Sequence, residues 1–226
     1  MGARVRFDFA LIASRLPDIF HALGITLLVW IVSLAGACML GFVVAVARRF
    51  GPRWLDWILS AYVELFRGTP FLIQLFLLYF GGPYAGLSLD AIPAGIVGLS
   101  VYGAAYFSEI FRSGFEAVPP GHVEAAECSG LNRAQILRRI LLPEMTMLVL
   151  PSSINMAVIV LKETAVMSVI TVPELTLTIS AIGTEFYAFV ESLFLLALFY
   201  WGLVEICGWL GRIGERRLAR FRFAQA

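Results

Sequence analysis

Long apolar runs separated by short polar segments are the main feature of this chain. The first run covers residues 23–47 without a charged side chain, and three more cover 91–111, 145–171 and 186–210. A helix of about 20 apolar residues crosses the roughly 30 Å of hydrocarbon in a bilayer. Each run is therefore predicted to form a membrane span.

A fifth span, second in chain order, is predicted at residues 70–87, where the sequence marks a helix start. Thr69 is predicted to be the N-cap and Pro70 the first helical residue, because those residue types favour those positions. The preceding segment, 54–66, mixes acidic side chains with tryptophan and other aromatics, which is typical of a helix at the membrane interface. An interfacial helix is thus expected to lead into this span.

A cleaved signal peptide is the alternative for the first run, because residues 35–38 (Ala-Gly-Ala-Cys) faintly resemble a lipoprotein cleavage box. The apolar core of a signal peptide has about 7–15 residues. Here the apolar stretch continues well past Cys38 to Arg48. The sequence therefore favours an uncleaved membrane helix.

Composition supports a membrane protein and excludes several other classes. Of 226 residues, 60% are hydrophobic and 15% charged, and the mean hydropathy is +0.85. These values are too apolar for an ordinary soluble domain, so we expect an all-α, multi-pass integral membrane protein with one domain over residues 1–226, embedded in the lipid bilayer. A net charge of +1 gives no basic surface for nucleic acid.

The distribution of arginine predicts the orientation, because short cytoplasmic loops carry an excess of positive charge. The bias favours an N-terminus outside and a C-terminus in the cytoplasm, although three N-terminal arginines oppose it. Predicted on the inner side are Arg48, Arg49, Arg53, Arg67, Arg112, Arg133, Arg138, Arg139, Arg212, Arg216, Arg217, Arg220 and Arg222; predicted outside are Arg4, Arg6 and Arg15.

The long inner loop, residues 112–144, is patterned as two short helices. Gly130 suits the left-handed position that ends the first helix, and Asn132 with Gln135 forms a capping-box pattern that begins the second. Such a hairpin could dock another protein or could be an ordinary cytoplasmic loop. Helix geometry alone leaves both readings open.

The spacing of residues within this loop distinguishes the two readings. The loop matches the EAA signature: Glu124-Ala125-Ala126 is followed after three residues by Gly130 and, after nine more, by residues 140–143 (Ile-Leu-Leu-Pro). The chain therefore resembles the permeases of bacterial ABC importers over about residues 20–218. Flanking segments at 62–70, 74–76, 109–114, 161–164 and 168–170 resemble the polar amino acid branch, whose substrates include histidine, glutamine, arginine and opines.

The resemblance implies a type I ABC importer transmembrane domain with about five spans and a cytoplasmic coupling helix that fits a groove in an ATPase. It implies three protein partners: a cytosolic ABC ATPase dimer, a second permease subunit, identical or related, and a periplasmic amino-acid-binding protein. The residues that the resemblance assigns to the ATPase contact are Gly121, Glu124, Ala125, Ala126, Gly130, Leu131 and Arg133.

Catalytic and metal-binding motifs are missing from the sequence. It has no P-loop, so ATP and Mg²⁺ are expected in the partner ATPase and no cofactor in this chain. The two histidines, His21 and His122, are about 100 residues apart and both are expected to be structural, and the three cysteines are scattered. We therefore predict no metal site, and a transport subunit rather than an enzyme.

Charged residues inside a predicted span are costly unless they face protein or a wet cavity. Glu163 is the leading candidate for a substrate contact, because its carboxylate could hold an ammonium group. The alternative is a buried ion pair, for example Lys162 with Glu109 or Glu191; for Glu109 itself a local pair with Arg112 is expected. The substrate-path candidates are Gln74, Asn155, Glu163, Thr164 and Ser168.

The predicted function is that of a permease subunit in the inner membrane. It would move a polar amino acid, or a derivative such as an opine, by alternating access driven by ATP hydrolysis in separate subunits. Two rivals are an ion-coupled secondary amino acid transporter and a membrane enzyme. The first commonly shows internal repeats, and the second needs a convergent catalytic set; neither feature is visible in the sequence.

Overall fold

The computed structural model describes residues 14–223, with side chains to residue 216. Arg4 and Arg6, and the side chains of Arg217, Arg220 and Arg222, lie outside the described part. All regular elements within it are helical. They are α1 (Leu16–Phe50), α2 (Arg53–Gly68), α3 (Phe71–Phe76), α4 (Ala91–Ala117), α5 (Pro120–Cys128), α6 (Arg133–Ile136), α7 (Leu142–Glu163), α8 (Leu175–Glu185) and α9 (Phe189–Phe223), with π-helical turns at Leu77–Gly81 and Leu137–Leu141 and 3₁₀ turns at Gly82–Ala85 and Thr164–Ile170.

The number of membrane spans agrees with the prediction of about five. Among the described residues, four helical segments are long and apolar enough to cross a bilayer: α1, α4, Arg133–Ile170 and Phe189–Arg216. A fifth candidate, named the broken span, is the bent pair of α2 and the helical segment Phe71–Ala85, which pass the same test only together and meet at 108°. The lipoprotein-like box at 35–38 lies in the middle of the continuous helix α1.

The start of the broken span differs from the sequence prediction. Pro70, and not Thr69, occupies the N-cap position of α3, and Thr69 has an extended backbone. The Thr69 hydroxyl instead donates to the carbonyl of Leu65 at 2.9 Å, so it closes the last turn of α2. Helical structure then runs from Phe71 to Ala85, close to the predicted 70–87, although α3 itself has six residues and passes into π-helical and 3₁₀ turns.

Gln74 holds the bend between α2 and α3. Its side-chain nitrogen lies 2.8 Å from the carbonyl oxygen of Phe66 and 3.0 Å from that of Thr69, and 2.8 Å from the Thr69 hydroxyl. Backbone carbonyls freed at a break must find donors inside a membrane protein. The amide of Gln74 supplies the donors on the inside of the corner, beside an apolar cavity of about 340 Å³.

The second arm of the inner hairpin and the fourth span form one continuous helical rod. The predicted capping box is confirmed: the Asn132 side chain accepts from the backbone of Gln135 at 3.0 Å, and the Gln135 side chain accepts from that of Asn132 at 2.9 Å. Helical structure then continues from Arg133 to Ile170, through the π turn and through Pro151. The predicted span at 145–171 is therefore the larger part of a helical segment that begins in the hairpin at Arg133.

The core of the bundle is the contact between α1 and α4, where small residues let the two backbones approach closely. A Cβ at Gly41 would lie 2.6 Å from the Cβ of Phe107 and 2.9 Å from the Ala104 carbonyl oxygen. A Cβ at Gly103 would lie 2.7 Å from the Cβ of Ala37. Close approach of small residues is the usual source of helix association within lipid. These glycines are thus packing residues.

We expect Gly41→Ala to destabilise the protein by about 1–3 kcal/mol, because the added methyl group meets backbone atoms that cannot move aside. Thermal unfolding of the purified protein in detergent measures this change. Gly24→Ala on the same helix is the matched control, since nothing lies within 4 Å of its added Cβ. An equal effect of the two substitutions would contradict the packing role.

We expect Gln74→Met to cost about 1–3 kcal/mol, because two carbonyls at the bend lose their side-chain donor while the length of the side chain is kept. The measurement is again thermal unfolding, together with protease sensitivity near residues 66–74. Asn155→Met is the control, since the Asn155 side chain is exposed. Unchanged stability of Gln74→Met would show that the bend does not depend on the amide.

Candidate functional site

The inner hairpin consists of α5, the turn at Gly130, and α6. Gly130 has φ +77°, and its N–H donates to the carbonyl of Glu127 at 2.9 Å; the N–H of Leu131 donates to that of Ala126 at 3.1 Å. This is the left-handed helix ending that glycine favours. No atom lies within 4 Å of a Cβ added at Gly130, so the backbone conformation alone requires glycine there.

The seven residues assigned to the ATPase contact are distributed around this hairpin. Ala126 is buried at 4% exposure against an apolar cluster that includes Phe115, Ile136 and Met145, and Leu131 is half-buried. The short side chain of Ala126 lets α5 lie close to the membrane helices. The remaining five are exposed, namely Gly121, Glu124, Ala125, Gly130 and Arg133.

His122 and Glu144 connect the hairpin to the start of α7. The Nδ1 atom of His122 lies 2.9 Å from each carboxylate oxygen of Glu144. The structural role expected for His122 fits this position, but no sequence pattern indicated Glu144. The two residues are 22 positions apart, and only the folding back of α5 brings them together.

Glu109 is the centre of an ion cluster in which α4 meets the last turn of α1 and both ends of α2. Its carboxylate lies 2.9 Å from Arg112, as the sequence predicts, and also 2.6 Å from Arg48 and 3.6 Å from Arg67. Asp56 pairs with Arg48 at 3.2 Å and Glu116 with Arg112 at 2.7 Å. Three arginines thus face three carboxylates, and the cluster ties three helices together.

The buried ion pair considered for Lys162 is not present. Its possible partner Glu109 is taken by arginines, and the Lys162 side chain is exposed. Within the described residues neither Lys162 nor the buried Glu191 forms an ion pair. The pairing is wrong because the sequence does not reveal which helix faces meet.

Four of the five substrate-path candidates lie on the rod that continues from the hairpin. Glu163 is half-buried and Asn155 is exposed. The hydroxyl of Thr164 is fully buried and donates to the Leu161 carbonyl at 2.7 Å, and that of Ser168 donates to the Ala165 carbonyl at 2.8 Å. The fifth candidate, Gln74, lies at the bend of the broken span. Contact of any of the five with substrate stays a prediction.

Glu174 stabilises the opposite end of the bundle, in the segment 171–188 between the rod and α9. This segment contains the eleven-residue helix α8, and the Glu174 carboxylate accepts from the N–H groups of Thr176 and Leu177 at 2.8 and 2.9 Å and from the Tyr200 hydroxyl at 3.1 Å. Burial raises the pKa of this carboxyl above its usual value. The cap was not foreseen, because Tyr200 comes from the distant helix α9.

Arg15 joins the beginning of α1 to the end of α8. Its guanidinium lies 2.8 Å from the carboxylate of Glu185 and 3.4 Å from that of Asp18, and it also lies over the ring of Phe186 at 5.3 Å. One of the three arginines that oppose the predicted orientation is therefore neutralised by acidic neighbours. Arg15 therefore adds little unpaired positive charge at the end of the protein where α1 begins.

Comparison with known proteins places this geometry in a family. Residues 37–220 match the family of binding-protein-dependent transport system inner membrane components. Over 215 residues, the chain is 34% identical to the probable amino-acid ABC transporter permease protein YckA of Bacillus subtilis, with 95% of each chain covered. It is 33% identical to the arginine transport system permease protein ArtQ of the same species, covering 95% of this chain and 98% of that protein.

Solved structures show the same fold. The crystal structure of an amino acid ABC transporter with histidines matches with a TM-score of 0.86 and 30% identity, covering 96% of this chain and 100% of that one. An inward-facing structure of the MetNI methionine ABC transporter matches with a TM-score of 0.76 at 23% identity, covering 91% and 98%. The chain belongs to the binding-protein-dependent transport system inner membrane components, among the amino-acid ABC transporter permeases.

Proposed function

We propose that this chain is the permease subunit of an ABC importer and carries a polar amino acid, or a derivative of one, across the inner membrane. The observation that carries the proposal is the continuous helical rod from Arg133 to Ile170. One end of this rod belongs to the hairpin with the EAA spacing, and the other end carries Glu163. A force applied to the hairpin would therefore reach the helix that carries the leading substrate candidate.

The proposed function requires three partners. A cytosolic ATPase dimer binds the exposed face of α5 and supplies the chemistry of ATP and Mg²⁺. A second permease subunit completes the passage, and a periplasmic binding protein delivers the amino acid. With the N-terminus outside and the C-terminus inside, the hairpin faces the cytoplasm, as ATP-driven transport requires.

Closure of the ATPase dimer would draw two such hairpins together. Because interfaces between packed helices switch between discrete arrangements, the spans would move as rigid bodies between inward-open and outward-open states. A carboxylate at Glu163 would favour a substrate with a free ammonium group, and most strongly a cationic amino acid. Dependence of uptake on the ATPase is the property that distinguishes this function from that of an ion-coupled carrier.

We expect Gly130→Val to abolish co-purification of the ATPase with the tagged permease from membranes of its native host, because a β-branched residue is strongly disfavoured at positive φ. Gly86→Val is the matched control: Gly86 also has positive φ, +82°, with open space around it, but lies far from the hairpin. Retention of the ATPase by Gly130→Val, or its loss in both variants, would argue against docking through the hairpin.

We expect Glu163→Gln to lower uptake of a cationic amino acid about tenfold, the effect of losing roughly 1.4 kcal/mol of attraction, and that of a neutral one less. Uptake of labelled arginine, glutamine and histidine by cells that express each variant provides the measurement. Glu205→Gln, which removes an exposed carboxylate from α9, is the control. Unchanged uptake of every amino acid would remove Glu163 from the path.

A further inference from the structure

We infer that the contact between His122 and Glu144 is the joint that makes α5 move as one body with the rod. The inference rests on the proposed function, because it takes α5 to be the helix that the ATPase binds. It assigns a positioning role to two side chains outside the EAA spacing. Without the joint, the hairpin would still bind the ATPase but would transmit its movement poorly.

The attachment of α5 at its two ends supports this role. At its C-terminal end the Gly130 turn links it directly to α6. At its N-terminal end His122, in the first turn of α5, meets Glu144, in the first turn of α7. Val118 and Pro119 join the same end of α5 to α4 and not to the rod, so the His122–Glu144 contact is what attaches this end of α5 to the rod.

Apolar packing holds α5 through two short side chains, those of Val123 and Ala126. On the same side an open groove of about 410 Å³ separates α5 from the rod, lined by Ala125, Ser129 and Ile140 among others. His122 and Glu144 also line this groove, and their contact connects α5 to the rod across it.

The hydrogen bond of this contact can form with two forms of the imidazole ring. A carboxylate only accepts hydrogen bonds, so the Nδ1 atom of His122 must carry the proton in this arrangement. Nδ1 carries a proton in the imidazolium and in one neutral tautomer, and both therefore satisfy Glu144. The side chains are 55% and 37% exposed. An exposed pair contributes little to global stability, so its removal leaves the fold intact and isolates the effect on coupling.

The experiment compares transport with ATPase binding in the intact complex. His122→Ala, Glu144→Ala and the double variant are expressed as tagged chains in the native host. The labelled amino acid is the one that the unaltered permease accumulates. For each variant, its rate of uptake is divided by the amount of ATPase that co-purifies. We expect a threefold to tenfold loss in each single variant, with normal ATPase recovery, and no further loss in the double variant, because both substitutions break one contact.

Two further variants separate a specific joint from a general disturbance. His122→Asn should retain most of the transport, because its amide N–H occupies a position close to Nδ1. Glu215→Gln removes a carboxylate from α9, outside the hairpin, and should behave as the unaltered chain. Additive losses, unchanged uptake in the single variants, or a His122→Asn variant as defective as His122→Ala would each overturn the inference.

ATPase recovery separates this inference from the proposed function. Loss of the ATPase in His122→Ala or Glu144→Ala would mean that the pair serves docking itself, and would overturn the joint while leaving the proposed function intact. An unaltered permease that accumulates amino acid without any ATPase partner would refute the proposed function, and the joint with it.

Discussion

The requirement that every backbone polar group in a membrane finds a partner within the protein determines this structure. Helices meet that requirement automatically, and a break in a helix does not. At the 108° corner of the broken span the chain meets it with the side chain of Gln74, which donates to two carbonyls and a hydroxyl across the break. The Gln74 amide thus partners carbonyl groups that the break removes from the helical hydrogen bonding.

The ion pairs among the described residues lie toward the ends of the bundle, and its middle is held by small residues and by uncharged hydrogen bonds. At one end Glu109 gathers Arg48, Arg67 and Arg112, and at the other Glu174 caps α8. Between them α1 and α4 approach through glycine and alanine, with no charged side chain in their shared core. Ion pairs thus join the helices toward their ends.

Much of the candidate site was predictable, because its signals are local in sequence. The capping box at Asn132, the left-handed Gly130 and the pair between Glu109 and Arg112 each involve residues a few positions apart. Contacts between residues that are distant in sequence were not predictable. Which helix faces meet decides that Glu144 lies beside His122 and that Arg48 and Arg67 lie beside Glu109. The hydrophobic pattern of a membrane protein leaves those faces undetermined.

By itself, the sequence determined the class of protein, the approximate number of spans and the hairpin, since apolar length and local turn chemistry suffice for these features. Only the tertiary structure decided that the hairpin and the fourth span are one rod, and that the broken span turns on Gln74. It also decided that Lys162 stays exposed while arginines satisfy Glu109. The physical reason is that lipid-facing and protein-facing sides of a helix are equally apolar, so packing, and not hydropathy, selects the partners.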